Sequence, residues 1–251
     1  MLVAELVKRD FRQKYAESYL GVFWIFFQPL AYVTIIFFVF TYGLRMSSRG
    51  DVPFVSYLLT GITPWMYISD YMNNAPGIVK QYSFLIKKAV VRLSILPLVK
   101  IISSIIPHLA LVVISVIVVL INGKGLGVYL FQLTYYMLCM MVLMFAIGLV
   151  VSSVNLFLPD IAKLMSIIVQ FGFWLTPILW NPEMVPEKYL WVINLNPAEY
   201  IITGYRDSLL YDLWFIQKPL QTLYFWGFTL TMLFAGVNVF SRLRPHFAEV
   251  V

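Results

Sequence analysis

Three kinds of side chain in this sequence could do chemistry at membrane depth, and each is sparse. The first is acid. Asp70, in GITPWMYISD, is the one carboxylate that the apolar pattern carries toward the middle of a membrane. Ionisable groups at such depth face a bundle interior or a wet cavity and mark functional sites, unless the helix ends early and leaves them at the headgroups. Asn73 and Asn74 follow closely and favour the headgroup reading. The second is base. His108, beside Pro107, reads as a hydrogen-bonded interior residue rather than a proton relay. The third is a set of cations, Lys87, Lys88 and Arg92, in SFLIKKAVVRLSILP.

Catalytic spacings are missing. GKG at Gly123–Gly125 lacks both the upstream glycine and the hydroxyl residue of a phosphate-binding loop. No HExxH and no grouped Cys/His set occurs, so no metal, no catalytic residue and no ATP hydrolysis by this chain is expected. The lone cysteine, Cys139, allows no internal disulfide.

The basic stretch has two faces. At about 100° per residue, Leu85, Ile86, Ala89, Val90, Leu93 and Leu96 share one arc, a stripe for membrane or bundle. Lys87, Lys88 and Arg92 take the other arc with Phe84, Val91 and Ile95. Phe84, Lys88, Val91 and Ile95 recur at the spacing of a docking stripe for a soluble partner. A plain interfacial anchor, with its cations at the headgroups, fits the same pattern equally well.

Aromatic residues make up 17% of the chain, too many for membrane-interface belts alone. Tyr32, Trp65, Tyr67, Tyr71, Tyr136 and Trp174 are the hardest to place in a belt. They are candidates for lining a conduit, where ring faces stack on sugars and hydroxyls stay available. For any single one, a belt or packing role is the commoner case.

These residues must be carried by membrane helices. The chain is 61% hydrophobic and 12% charged, against about 45–50% and 25% in soluble domains. A helix needs about 20 apolar residues to cross the hydrocarbon. Six runs qualify, giving an all-α integral membrane domain over 1–251 with spans at 18–44, 53–75, 98–121, 128–152, 161–180 and 220–240. The run ending SSVNLFLP is too long for one helix, so its end reads as a connector. Pro29 inside the first span predicts a kink or a broken first turn. No small-residue cleavage pattern follows that span, so no removable leader is expected. Residues 1–17 read as a basic amphipathic helix in the interface, with Glu5, Lys8, Arg9 and Arg12 on one arc.

With six spans both ends share a side. That side carries twelve Lys and Arg, including Arg9, Arg12 and the cytoplasmic segment 76–97, against six on the other. Both termini are therefore predicted cytoplasmic. The net charge of +6 is explained by this bias, and no nucleic-acid partner is expected. The outer segment 181–219 is too apolar for a solvated loop. Pro186 can open one short helix. Asn196, Pro197 and Glu199 match an N-cap, a first helical position and a third-position acid for another. Two short helices dipping into the outer leaflet and two lying flat on it are both compatible with the length.

The motifs together resemble the transmembrane subunit of type-2 ABC exporters, specifically the branch that moves O-antigen, capsule or teichoic acid polymers. They are RQKYAESYLGVFWIFFQPL, GITPWMYISD, FLIKKAVVRLSILPL, GLVVSSVNLFLPDI, FWLTPILWNPEMVPE and NPAEYIITGYRDSLL, in order along nearly the whole chain. Two departures are visible. Pro159–Asp160 stands where Arg-Asp is common, and Val90-Val91-Arg92 lacks a proline often found before that arginine.

The resemblance implies a homodimer in the bacterial inner membrane with two copies of a separate ATPase that holds ATP and Mg. Arg9, Arg12, Phe84, Lys87, Lys88, Val91 and Arg92 would face that ATPase. Asn196, Pro197, Glu199, Tyr200, Arg206 and Asp207 would belong to an outward gate. The substrate would be a polyprenyl-diphosphate-linked glycan, most simply O-antigen, passing between protomers within the lipid. Two other readings stay open. One is a permease of the same type for teichoic acid, capsule, a drug or a lipid. The other is a membrane enzyme acting on polyprenyl-linked sugars, which would need acids gathered at one membrane edge. Asp51, Glu183, Glu187, Asp207 and Asp212 are scattered instead.

Overall fold

Helices carry almost the whole chain, and no β-strand occurs among the described residues of the computed structural model, which are 2–15, 19–21, 23–43, 45, 52–84 and 93–250. In chain order they are α1 (Leu2–Tyr15), α2 (Phe23–Phe38), α3 (Phe54–Asn74), α4 (Ile78–Gln81), α5 (Leu96–Ile121) and α6 (Gln132–Phe157). These are followed by α7 (Asp160–Leu175), α8 (Leu190–Asn194), α9 (Pro197–Arg206), α10 (Pro219–Leu243) and α11 (Phe247–Val250). Among the described residues four helical stretches are long and apolar enough to cross a membrane: Phe23–Gly43, Leu93–Ile121, Val128–Phe157 and Pro219–Val250.

The burial pattern is that of a protein whose solvent is lipid. α2 is strongly apolar, yet only Ile25 and Val33 are buried along it. α3 carries Ser56, Thr60, Thr63 and Gly61, and 14 of its 21 residues are buried. In hydrocarbon, polar groups must find partners inside the protein, so the mixed helix goes to the centre and the apolar one faces out. The hydroxyls of α3 are satisfied accordingly. Thr63 Oγ1 and Ser115 Oγ lie 2.7 Å apart, and Asn122 Nδ2 donates to Ser56 Oγ at 3.2 Å. α3 packs against α5, α9, α7 and α2, while α6 and α10 pair along their length.

Two helix ends differ from the reading of the sequence. The SSVNLF stretch is not a connector but the last turns of α6, and the break comes only at Leu158–Pro159. Ser152 is buried, and Ser153 and Asn155 are paired within the protein. Ser153 Oγ donates back to the Leu149 carbonyl at 2.7 Å, and Asn155 Nδ2 donates to the Pro76 carbonyl at 2.9 Å. The fifth expected span stops at Leu175, five residues short of Trp180. Pro177 disfavours helix at the residue before it, and Thr176 is extended (φ −91°, ψ 136°). α2 runs through Pro29 without interruption. The turn after α5 forms at NGKG, with Gly123 at φ +84°.

Close approach fixes where α9 sits. A Cβ on Gly204 would lie 2.1 Å from the ring of Tyr136, so α9 meets α6 ring-to-backbone at that point. Gly204→Ala should overpack this contact at a cost of about 1–3 kcal/mol. We expect a lower thermal unfolding midpoint in detergent; an unchanged midpoint would show that α6 and α9 are not in this contact.

Candidate functional site

Residues of interest gather in three places: a corner where α1 meets α5, a groove between α2, α3 and α7, and the segment around α9; the first and last are called inner and outer after the side expected from the sequence. At the inner corner Arg9 and Arg12 are exposed on α1. The Arg9 guanidinium stacks over the half-buried Phe84 ring at 4.3 Å. Lys87, Lys88, Val91 and Arg92 lie outside the described residues.

Between Arg9 and the bundle sits a residue that reading the sequence missed. Asp10 is 2% exposed, and its carboxylate collects donors from two segments, residues 81–82 and the start of α5. Lys100 Nζ reaches both oxygens at 3.1 and 3.2 Å, and Ser103 Oγ donates at 2.5 Å. The Tyr82 hydroxyl donates at 3.2 Å, and Gln81 Nε2 lies at 3.5 Å. Burial and the nearby Asp10 carboxylate push the Tyr82 phenol well above its ordinary value, so it stays a donor. A signal was available. Leu6 and Asp10 are one helical turn apart and both buried, so an acid occupies an apolar-stripe position.

Asp70 is half-buried, and α3 continues one turn past it to Asn74. It accepts from Asn74 Nδ2 at 3.2 Å and from Ser104 Oγ at 3.3 Å. It lines a cavity of about 570 Å³ together with Gln28, Asn73 and His108. His108 is an interior residue, with Nε2 2.7 Å from the Tyr205 hydroxyl.

The six candidate aromatics separate into two sets. Tyr32, Trp65 and Trp174 line a groove of about 480 Å³ with Gln28, Asn73 and Gln170. Tyr32 and Trp174 are exposed, whereas Trp65 is buried and meets Phe173 at 6.1 Å. Tyr67, Tyr71 and Tyr136 are buried within the chain's own core. Their helices, α3 and α6, are the interior ones, and Tyr67 already donates to the Ile101 carbonyl at 3.1 Å. Tyr67 also borders the cavity that holds Asp70, whereas Tyr71 and Tyr136 pack between helices.

The outer segment is built on the broken end of α7. Thr176, Pro177, Ile178 and Leu179 are buried without helical partners for their carbonyls. Arg206, at the end of α9 and 3% exposed, supplies the donors: Nη1 to the Pro177 carbonyl at 2.6 Å and Nη2 to the Ile178 carbonyl at 2.8 Å. Its guanidinium stacks at 3.6 Å on the ring of Tyr57, whose hydroxyl donates to the Trp180 carbonyl at 2.9 Å. Gly61 makes room, since a Cβ there would lie 2.5 Å from the guanidinium.

Asn196 and Pro197 take their expected places, but Glu199 does not close a capping box, since the Asn196 amide donates to the Ile193 carbonyl. Asn196 Oδ1 accepts from the Ala198 amide at 3.0 Å, with Pro197 in the first turn. Asn196 Nδ2 also donates to Thr176 Oγ1 at 2.7 Å. Tyr200 joins the Tyr135 and Thr222 hydroxyls at 3.0 Å each, tying α9 to α6 and α10. Glu199 is buried and accepts from Thr203 Oγ1 at 2.6 Å, and Asp207 is ion-paired with Lys218. Burial raises both carboxyls above their ordinary values, and Lys218 opposes the shift in each case.

A helical bundle with bonded polar groups inside its core and a largely apolar exterior is an integral membrane protein. No group of metal-binding side chains occurs among the described residues. The chain belongs to the ABC-2 type transporter family, which it matches over residues 1–210. It is 26% identical to the O-antigen export system permease protein RfbA of Klebsiella pneumoniae over 252 residues, covering 100% of this chain and 95% of that protein. A protein of the same name from Myxococcus xanthus is 22% identical over 264 residues, with the same coverage. The polysialic acid transport protein KpsM of Escherichia coli is 21% identical over 239 residues, 95% of this chain and 92% of that one.

Two outcomes follow for the outer segment. Arg206→Lys keeps the charge but cannot fork between two carbonyls or stack flat on Tyr57. It should cost about 3 kcal/mol, the scale of two charge-assisted bonds, read as a lower unfolding midpoint; wild-type stability would refute the assignment. Glu199→Gln keeps an acceptor for Thr203 and removes the ionisation. A carboxyl raised in the folded state contributes stability at low pH that is lost as pH rises through its folded value. The variant's midpoint should therefore gain on the wild type as pH rises toward neutral, and a constant difference across that range would contradict the sign.

Proposed function

We propose that this chain is the channel-forming permease subunit of an ATP-driven exporter of polysaccharide. The observation that carries the reading is similarity over the full length of the chain to export permeases for O-antigen. In this reading six helices cross the inner membrane, with α3 and α7 joining the four long apolar stretches. α3 is less apolar than those stretches and is shielded from lipid by its neighbours, and Pro177 ends α7 after 16 residues. Both termini lie in the cytoplasm, and α8 and α9 re-enter the outer leaflet as part of the outward gate.

Two copies of the chain pair around a conduit, and two copies of a separate ATPase, with ATP and Mg, bind the inner face. The exposed cations Arg9 and Arg12 and the segment through Lys87, Lys88, Val91 and Arg92 form that docking face. The substrate is a polyprenyl-diphosphate-linked glycan of the O-antigen class. Tyr32, Trp65 and Trp174 supply the stacking surface, because their groove is open to the outside of the single chain. A capsular polymer is the second reading, favoured by the similarity to the polysialic acid transport protein. The membrane-enzyme reading loses ground, since Asp207 and Asp212 are each paired with a lysine.

Co-expression with its ATPase partner and reconstitution with lipid-linked glycan tests the function. Wild type should pull down the ATPase and move glycan only with ATP. Lys87→Glu with Lys88→Glu should abolish export while the chain still reaches the membrane in normal amount. Full export by that double variant would remove the docking role from this segment.

A further inference from the structure

In the proposed function segment 85–92 takes the push from an ATPase, and one buried carboxylate gathers residues from either side of that segment. Upstream of the segment, Gln81 and Tyr82 point to Asp10, and Phe84 sits under Arg9. Downstream, Lys100 and Ser103 on the first turns of α5 point to the same carboxylate. The two ends of the segment are thus gathered on adjacent residues of α1. Asp10 and Lys100 side chains are 1% and 6% exposed.

Stability alone does not account for this arrangement. A buried ion pair is often matched or bettered by apolar residues of the same volume, because both charges lose their hydration. What the pair has over an apolar contact is direction: a carboxylate with donors from two further segments is satisfied in one arrangement only. Sliding α1 along α5 strands a charge in the interior, and swinging 81–84 away takes the Tyr82 and Gln81 donors from the buried carboxylate. An apolar contact there would tolerate the slip.

We infer that Asp10 is a positioning residue that binds α1, residues 81–84 and the start of α5 into one body, so that displacement of segment 85–92 is delivered to α5 instead of being absorbed at the corner. The inference rests on the proposed function for the source of the displacement, while the tie itself concerns this chain alone.

Four variants test it in the reconstituted complex with its ATPase: Asp10→Leu with Lys100→Met, Asp10→Asn, Asp10→Glu and Ser103→Ala. The apolar pair should keep the unfolding midpoint near wild type and retain bound ATPase. Glycan exported per ATP hydrolysed should fall by about tenfold, within the range of typical coupling between sites. Asp10→Glu should restore part of that ratio, and Ser103→Ala, which keeps the ion pair, should lose less than the apolar pair. An unchanged export-to-hydrolysis ratio in the apolar pair overturns the inference. So does loss of ATPase binding with the ratio intact, because Asp10 would then serve docking.

A second readout needs neither ATPase nor substrate. In Asp10→Asn, amide exchange should quicken in residues 78–84 and 96–104 to the same degree. Quickening in only one stretch, or in neither, counts against the tie even if the apolar pair fails to fold. If wild type neither binds an ATPase nor moves glycan, the proposed function fails, and the exchange result still decides on Asp10.

Discussion

The guanidinium of Arg206 is the point on which the outer half of the molecule rests. A chain that breaks its helix in an apolar setting must find donors for the freed carbonyls or lose several kcal/mol for each. α7 breaks at Thr176, and three carbonyls that follow are met from elsewhere: Pro177 and Ile178 by Arg206, Trp180 by Tyr57. The same guanidinium lies flat on Tyr57 and fills the space left by Gly61. α9 is therefore no loose cover. It is the half of the structure that makes the broken end of α7 possible, and α3 is the wall against which both are held. Asn196, bonded to Thr176, repeats the connection at the other end of α9.

The inner corner answers the same constraint with opposite means. There a carboxylate is buried and one lysine with neutral donors comes to it, whereas outside a cation is buried and carbonyls come to it. Between the two lies α3, whose hydroxyls and glycine face α5 and α9. Polar contacts thus run through the core from Asp10 to Arg206, while apolar side chains of α2 and α7 face outward. This is the inversion expected when the surrounding solvent is hydrocarbon. It leaves the Tyr32, Trp65 and Trp174 groove as an aromatic surface framed by amide side chains, a chemistry suited to polyhydroxylated ligands.

Much of this was legible in the sequence where signals are local. Asn196 and Pro197 open α9 as a capping pattern should, and NGKG ends α5. The placement of His108 inside the bundle also followed from its neighbours. What escaped was non-local. Arg206 counted as one more outer cation, because its burial depends on carbonyls 28 and 29 residues earlier. Asp10 went unnoticed because its partner lies 90 residues on. Ser153 and Asn155 looked like a connector, and their partners are a carbonyl one turn back and one in another segment. The aromatics could be counted but not oriented, since residue type alone does not say which face of a helix points inward.

The central claim is that α9, though short, belongs to the same rigid body as α3. Amide hydrogen exchange on the full chain in lipid nanodiscs tests it directly. If Arg206 and its partners hold as described, residues 197–206 exchange as slowly as the middle of α3, and far more slowly than residues 181–189. Exchange in 197–206 as fast as in 181–189 would contradict the account.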